Sequence, residues 1–358
     1  MNPSKLHQKV DFTGKNIFVG MDVHDKSWTI TLFYEDQFLR TFTQPPKVDA
    51  LMTLLHRDYH GASFTCGYEA GLFGFWIQRE IEVQNATCKV FHPADIPHTG
   101  KRKITKRDAV DSRDIAQALA LGLTSPIYVP SKEIEQDRSI LRYRGRLQAD
   151  IRRCKNQIRA LLFQFGIEMP ELYSKSWSKN FVHWLKETEL VEGSSKKALN
   201  HMINQLESLR ALLLTANRDI RDLQRSEKYI QQMNLLQSIP GIGPLSALTL
   251  IAELVDVRRF STFRKMNSFV GLYPMEHSSG EQEYKGSITL RKNKFLRCLL
   301  VESAWIAVKH DPALTQVFQN LKQRMTAKRA IIKIARKLLS RIRFVLMNET
   351  TYEPGIIK

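Results

Sequence analysis

Four acidic side chains have the type and spacing to hold divalent metal ions. Asp22 falls late in the apolar, β-rich run NIFVGMD, and Glu69 closes a second such run, SFTCGYE. Asp111 and Asp114 stand three apart in DAVDSRDIAQALALGL, and a helix there puts both on one face. Two strand ends and one helix face can bring such acids together at the end of a sheet. Carboxylate oxygens are hard ligands that suit Mg²⁺, an ion that keeps several waters and binds substrate phosphate. Two such ions stabilise both the attacking and the leaving oxygen of a displacement at phosphorus. Each acid also has a plainer reading. An Asp at a strand end is commonly a turn residue, and acids early in a helix complement its dipole. Asp108 continues the same i, i+3 series and Asp25 lies near Asp22, so either is an alternative ligand. The placement of all four on suitable elements singles out the set. Lys101, Arg102, Lys103, Lys106 and Arg107 crowd the loop just before the helix, where they would hold phosphates beside the metals.

Positioning these acids requires an α/β sheet over residues 1–130. Three strands are expected across residues 16–43, with a polar turn at Glu35 and Asp36. Pro45 and Pro46 break the sheet, and VDALMTLLHRDY then shows helical spacing. SFTCGYE is a fourth strand, LFGFWIQREIEV a helix and CKVFH a fifth strand. Three strands followed by alternating helix and strand is the order of a ribonuclease-H-like domain.

Residues 131–232 read differently. Leu147, Ile151, Cys154, Ile158, Leu161 and Phe165 alternate steps of four and three on a charged background, and so do Leu199, Met202, Leu206, Leu209, Leu213, Ala216, Ile220 and Leu223. Such seams predict two long helices in an antiparallel coiled-coil hairpin, packed within one chain or against another subunit. Residues 233–358 are expected to be mainly helical. They open on LLQSIPGIGPLSALTLIAEL, where Gly241 and Gly243 separate two apolar helices. This is a helix-hairpin-helix pattern, whose glycines let backbone N–H groups approach a phosphate. A tight turn between helices is the plainer alternative. Near the C-terminus Lys328, Arg329, Lys333, Arg336, Lys337, Arg341 and Arg343 interleave with isoleucines and leucines, which predicts an amphipathic basic helix.

The chain has 358 residues, with 54 Lys and Arg against 36 Asp and Glu and a formal net charge of +18. That excess points to a polyanionic partner, with nucleic acid first. Cys66, Cys88, Cys154 and Cys298 are widely spaced, which suggests neither a zinc site nor a disulfide framework and fits a reducing cytoplasm. No apolar run approaches the ~20 residues of a membrane span, and MNPSKLHQKVDF has no signal-peptide core.

Several strings together resemble the DEDD transposases of bacterial insertion sequences, the insertion-sequence one-ten family with its RNA-guided recombinases. VGMDVHDKSW, CGYEAGLFG and KRDAVDSRDIAQALA resemble the family's acidic motifs and give Asp22, Glu69, Asp111 and Asp114. SIPGIGPLSALTLIAEL and RRFSTFRKMNSFVGLYPMEHSSGE resemble its C-terminal domain. In such proteins a serine in a Ser-Gly step, after a Gly-Leu-x-Pro segment, is the nucleophile. Here Gly271-Leu272-Tyr273-Pro274 precedes Ser279-Gly280, so the role passes to Ser279, with Ser278 as the alternative. The resemblance implies cutting and rejoining of donor and target DNA through a phosphoserine link, with Mg²⁺, two ions, at the four acids. It also implies a structured guide RNA and a homo-oligomer, a dimer that forms a tetramer in the synaptic complex, working at the bacterial nucleoid. One departure lies after the serine, where Lys292 replaces a usual glycine between Arg291 and Asn293; Arg291, Asn293 and Arg297 stay as candidate nucleic-acid contacts. Two other functions compete. A junction-resolving nuclease on the same N-terminal fold would use water in place of serine, and a non-catalytic nucleic-acid scaffold would need no metal.

Overall fold

The computed structural model describes residues 11–97, 108–170, 177–188, 193–279, 282–289 and 293–354. The chain divides into two units, Met1–Val129 and Pro130–Lys358. Lys101, Arg102, Lys103, Lys106, Arg107 and Arg291 lie outside the described residues.

The first unit is built on strands β1 (Asn16–Val23), β2 (Trp28–Tyr34), β3 (Gln37–Gln44), β4 (Ser63–Glu69) and β5 (Thr87–Phe91). They form one mixed sheet in the order β3-β2-β1-β4-β5. β1, β2 and β3 pair antiparallel, and β4 and β5 add in parallel. The turn from β2 to β3 has two residues, Glu35 and Asp36, both with positive φ (43° and 62°), the twist a tight hairpin needs. Helices α1 (Val48–Asp58) and α2 (Trp76–Val83) supply the crossovers. α2 is shorter than its sequence pattern suggests, because Leu72–Phe75 form a turn ahead of it and Leu72 is exposed.

Alternation along β1 sorts its side chains between two layers. Ile17, Val19 and Met21 are buried in a core with Leu51, Met52 and Leu55 of α1 and Ile77 and Ile81 of α2. Phe18, Gly20 and Asp22 face the other way, toward α3 (Asp108–Ala120), which packs on β1, β2 and β4. Gly20 and Gly67 are register partners in β1 and β4. A Cβ on Gly20 would lie 2.1 Å from the Ser112 carbonyl oxygen, and one on Gly67 would lie 2.8 Å from the Phe91 ring. The helix therefore rests on bare backbone. Beside it, Thr31 Oγ1 and Ser112 Oγ are 2.8 Å apart and fully buried, pinning α3 to β2.

The second unit begins with α4 (Lys132–Gln164), α5 (Lys179–Glu187) and α6 (Ser194–Gln224). α4 and α6 run antiparallel: Arg144 Nε donates to Asn217 Oδ1 at 2.7 Å, and Cys154 Sγ lies 3.3 Å from the Met202 carbonyl. Leu147, Ile151, Cys154 and Ile158 are buried along α4, but the stripe then passes to Leu162, leaving Phe165 exposed. On α6 it includes Ile203 as well as Leu199 and Leu206. A 3.6-residue helix rotates away from a strict heptad seam, which accounts for the shift. Helices α7 (Glu227–Gln237), α8 (Pro244–Leu254), α9 (Phe263–Val270), α10 (Lys294–His310), α11 (Pro312–Lys322) and α12 (Ala327–Asn348) share a further core. The strands β6 (Pro274–Ser279) and β7 (Gln282–Ile288) form a separate antiparallel hairpin. α12 buries Ile331, Ile334, Leu338, Leu339 and Ile342, the apolar stripe read from the sequence.

Candidate metal site and transposase regions

Asp22 lies one residue before the end of β1, and Glu69 ends the neighbouring parallel strand β4. Each stands two residues beyond a glycine of the α3 platform, so both face the helix layer. Asp108 and Asp111 occupy the first turn of α3, and Asp114 follows one turn later. Because α3 touches Gly20 without an intervening side chain, its first turn comes close to the end of β1.

Beside Asp22 stand two groups outside the four acids that the sequence motifs favour, His24 and Asp108. His24 Nε2 lies 3.2 Å from Asp22 Oδ2 and 3.9 Å from Asp108 Oδ1. One ligand atom from each of these three residues falls within 4.8 Å of the others. Donors about 2.1 Å from a common ion stand roughly 3 to 4.2 Å apart. The two distances from His24 fit that span, so this cluster can hold a divalent cation. Burial holds the Asp22 carboxyl above its usual range, and the negative charges of Asp108 and Asp111 push the same way, against the opposing pull of His24. Like charges gathered around a half-buried carboxylate are relieved when a cation binds.

Asp108, an alternative ligand in the sequence, thus joins Asp22, while Asp25 is exposed in the β1–β2 turn. Asp111 acts on Asp22 electrostatically. Asp114 is buried, and Glu69 is half-buried opposite Phe91 of β5. The sequence reading missed His24; its signal was the i, i+2 step from Asp22 at the end of a strand.

In the second unit, Ser279 is the last residue of β6 and faces Gln282 across the hairpin, with Ser278 opposite Glu283. Gly241 and Gly243 lie in the turn between α7 and α8 and differ in environment. Gly241 has φ 90°, and a Cβ there would sit 2.5 Å from the Ser303 carbonyl of α10; Gly243 is exposed with open space around it. Close packing on α10 therefore accounts for the glycine at 241, and only 243 offers unobstructed approach. Asn293 caps α10, accepting from the Leu296 N–H at 3.1 Å, and donates to Glu253 Oε2 at 2.9 Å. Its amide is committed inside the protein. Arg297 donates to the Thr289 carbonyl at 2.6 Å, beside the end of β7.

Glu253 of α8 is buried and receives both Arg142 Nε (2.9 Å) and Nη2 (3.0 Å) from α4. Burial alone would push its carboxyl up, but Arg142, Asn293 and Arg138 outweigh it and hold the group below the usual range.

Comparison with known proteins gives the family of the chain. Residues 19–167 match a family model for the DEDD-type transposase domain of IS110 elements, and residues 233–319 match a model described as "Transposase IS116/IS110/IS902 family". The protein is therefore a DNA transposase, an enzyme acting on DNA. A "Probable family 20 transposase" of Pseudomonas aeruginosa is 29% identical over 290 residues, 78% of this chain and 83% of the relative. The "Transposase for insertion sequence element IS1111A" of Coxiella burnetii is 30% identical over 264 residues, 71% of this chain and 70% of the relative. The chain belongs to the IS110 family of transposases. The DEDD domain implies dependence on a divalent metal, which the acids around Asp22 can serve. Among the described residues no helix is long and apolar enough to cross a membrane.

Proposed function

We propose that this transposase cuts and rejoins DNA with a Mg²⁺ site at Asp22, Glu69, Asp111 and Asp114 and with Ser279 as nucleophile. The observation that carries the reading is the seating of α3 on Gly20, which sets the acids of its first turn against Asp22. Two ions held there would polarise the scissile phosphate. The Ser279 hydroxyl gives up its proton, its oxygen bonds to phosphorus, and the P–O3′ bond breaks; the 3′ oxygen leaves with a proton. The phosphoserine link keeps the energy of the phosphodiester, so a 3′ hydroxyl of a partner strand can displace the serine.

Within this reading, residues 1–130 are a ribonuclease-H-like catalytic domain, which the strand order supports. Residues 131–232 are a coiled-coil arm that pairs subunits into dimers and tetramers. Residues 233–358 carry the serine and a helix-hairpin-helix contact to DNA at Gly243. A structured guide RNA pairs with donor and target DNA, so that base pairing reads the sequence and the protein binds backbone and shape. A net charge of +18 supports two polyanionic partners acting in the bacterial cytoplasm at the nucleoid.

The test is to trap the protein on labelled element DNA and map the linked residue by peptide mass spectrometry. An adduct at Ser279 that disappears in Ser279→Ala supports the proposal. An adduct on Ser278 moves the nucleophile by one residue. Cleavage that continues without any adduct in Ser279→Ala identifies a nuclease using water. Cleavage unaffected by Asp22→Ala removes the acids from the chemistry.

A further inference from the structure

We propose that His24 is a direct ligand, through Nε2, of the ion held by Asp22, with Asp108 as the third ligand, and that this nitrogen makes the position favour Mn²⁺ over Mg²⁺. The inference rests on the metal-site reading above and adds to it a nitrogen donor that the four acids lack.

Three observations point to it. First, His24 Nε2 approaches carboxylate oxygens from two separate elements, 3.2 Å from Asp22 at the end of β1 and 3.9 Å from Asp108 at the start of α3. The 3.2 Å contact is a hydrogen bond when Nε2 carries a proton, whereas 3.9 Å is beyond hydrogen-bond distance and leaves the Asp108 oxygen without that proton. A cation among the three donors satisfies all of them. Second, the set balances charge: two carboxylates and a neutral imidazole match a divalent ion. Three ligands also leave coordination positions for water and a phosphate oxygen. Third, the donors are open to solvent and so to an incoming ion, since the His24 and Asp108 side chains are 45% and 58% exposed while Asp22 is 17% exposed.

The choice of metal follows from ligand chemistry. Mg²⁺ takes oxygen donors and dehydrates reluctantly. Imidazole suits transition metals, and a mixed carboxylate and imidazole set is accepted by Mn²⁺, which resembles Mg²⁺ in charge and in its use of carboxylate and water.

The experiment is Mn²⁺ titration of the full chain followed by electron paramagnetic resonance, with spin-echo detection of ¹⁴N coupling, and Mg²⁺ measured by competition. Loss of outer partners of a metal ligand alone weakens binding ~10–100-fold, so losing a direct ligand should weaken Mn²⁺ at least ~10-fold. The wild type is expected to show nitrogen coupling that vanishes in His24→Ala and His24→Gln. Mg²⁺ affinity should move by less than ~3-fold in both, because oxygen donors dominate its binding. Circular dichroism of the two metal-free variants checks that each is folded. Mn²⁺ bound without nitrogen coupling, and lost in Asp22→Asn, would overturn the role of His24 while leaving the carboxylate site standing. Coupling that survives in His24→Ala would overturn it too. No Mn²⁺ or Mg²⁺ binding by the wild type would overturn both readings.

Discussion

Gly20 on β1 lies against the carbonyl of Ser112 on α3 so closely that a Cβ there would stand 2.1 Å from that oxygen. The neighbouring Ala116 N–H would be 2.4 Å away, so both obstacles are backbone and cannot swing aside. This contact sets the distance between the end of β1 and the first turn of α3, and with it the distance between Asp22 and Asp108. Gly20→Val should lift the helix. Overpacking of this kind destabilises by about 1–3 kcal/mol. The expected outcome is a lower melting temperature together with weakened Mn²⁺ binding. Unchanged metal binding in a folded variant would disconnect the platform from the site.

Asp22→Asn should separate stability from activity. Without metal, burial and the charges of Asp108 and Asp111 disfavour the Asp22 carboxylate. A neutral side chain of the same shape removes that repulsion, and the metal-free melting temperature should rise by about 2 °C. DNA cleavage should fall at least ~100-fold, since metal stabilisation of the transition state is worth several kcal/mol. A thermal melt and a cleavage time course measure both effects.

Glu253 predicts an acid-sensitive second unit. Its carboxyl is held below the ordinary value of 4.5 by Arg142, Asn293 and Arg138 against the opposing effect of burial. A folded pKa below the unfolded one contributes stability that is complete above pH 4.5 and is lost as pH falls through the folded value. Glu253→Gln should cost about 1–3 kcal/mol at neutral pH, less than a fully buried pair because Arg142 is partly exposed. It should also flatten the fall in stability below that pH. Urea melts from pH 3 to pH 7 would show it, and parallel pH profiles for the two proteins would count against the clamp.

The two glycines of the α7–α8 turn should respond differently. Gly241→Ala meets Ser303 at 2.5 Å and must hold φ 90°, and each effect destabilises by about 1–2 kcal/mol. Gly243→Ala has open space and φ −85°, so stability should stay within roughly 0.5 kcal/mol. If the turn contacts DNA through its backbone, Gly243→Ala should still weaken DNA binding. Equal stability loss in both variants would contradict the packing role of Gly241.

Local pattern carried much of this protein's description. Alternation in NIFVGMD and SWTITLFY marks β1 and β2, because a pleated strand exposes every second side chain to the same core. Interleaved apolar and basic residues from Lys328 to Arg343 mark α12 for the same kind of reason, at helical period. The acids could be located because Asp22 and Glu69 end apolar runs and Asp108, Asp111 and Asp114 share a helix face. The strict heptad seam did not carry through, since Phe165 turns outward and Leu162 and Ile203 turn inward as straight helices rotate.

What the sequence determined by itself is the strands and helices of the first unit, the two long helices and the basic C-terminal helix, the acidic motifs and the transposase family, all of which depend on residues close together in the chain. Tertiary structure alone decided which groups meet. His24 and Asp108 are 84 positions apart and come within 3.9 Å because two glycines let α3 rest on the sheet backbone. Gly241 serves α10, and Asn293 serves Glu253, through contacts made 62 and 40 positions away. Such meetings follow from the docking of one element on another. No periodicity within a segment records docking, and so a local pattern names the acids without naming their partners.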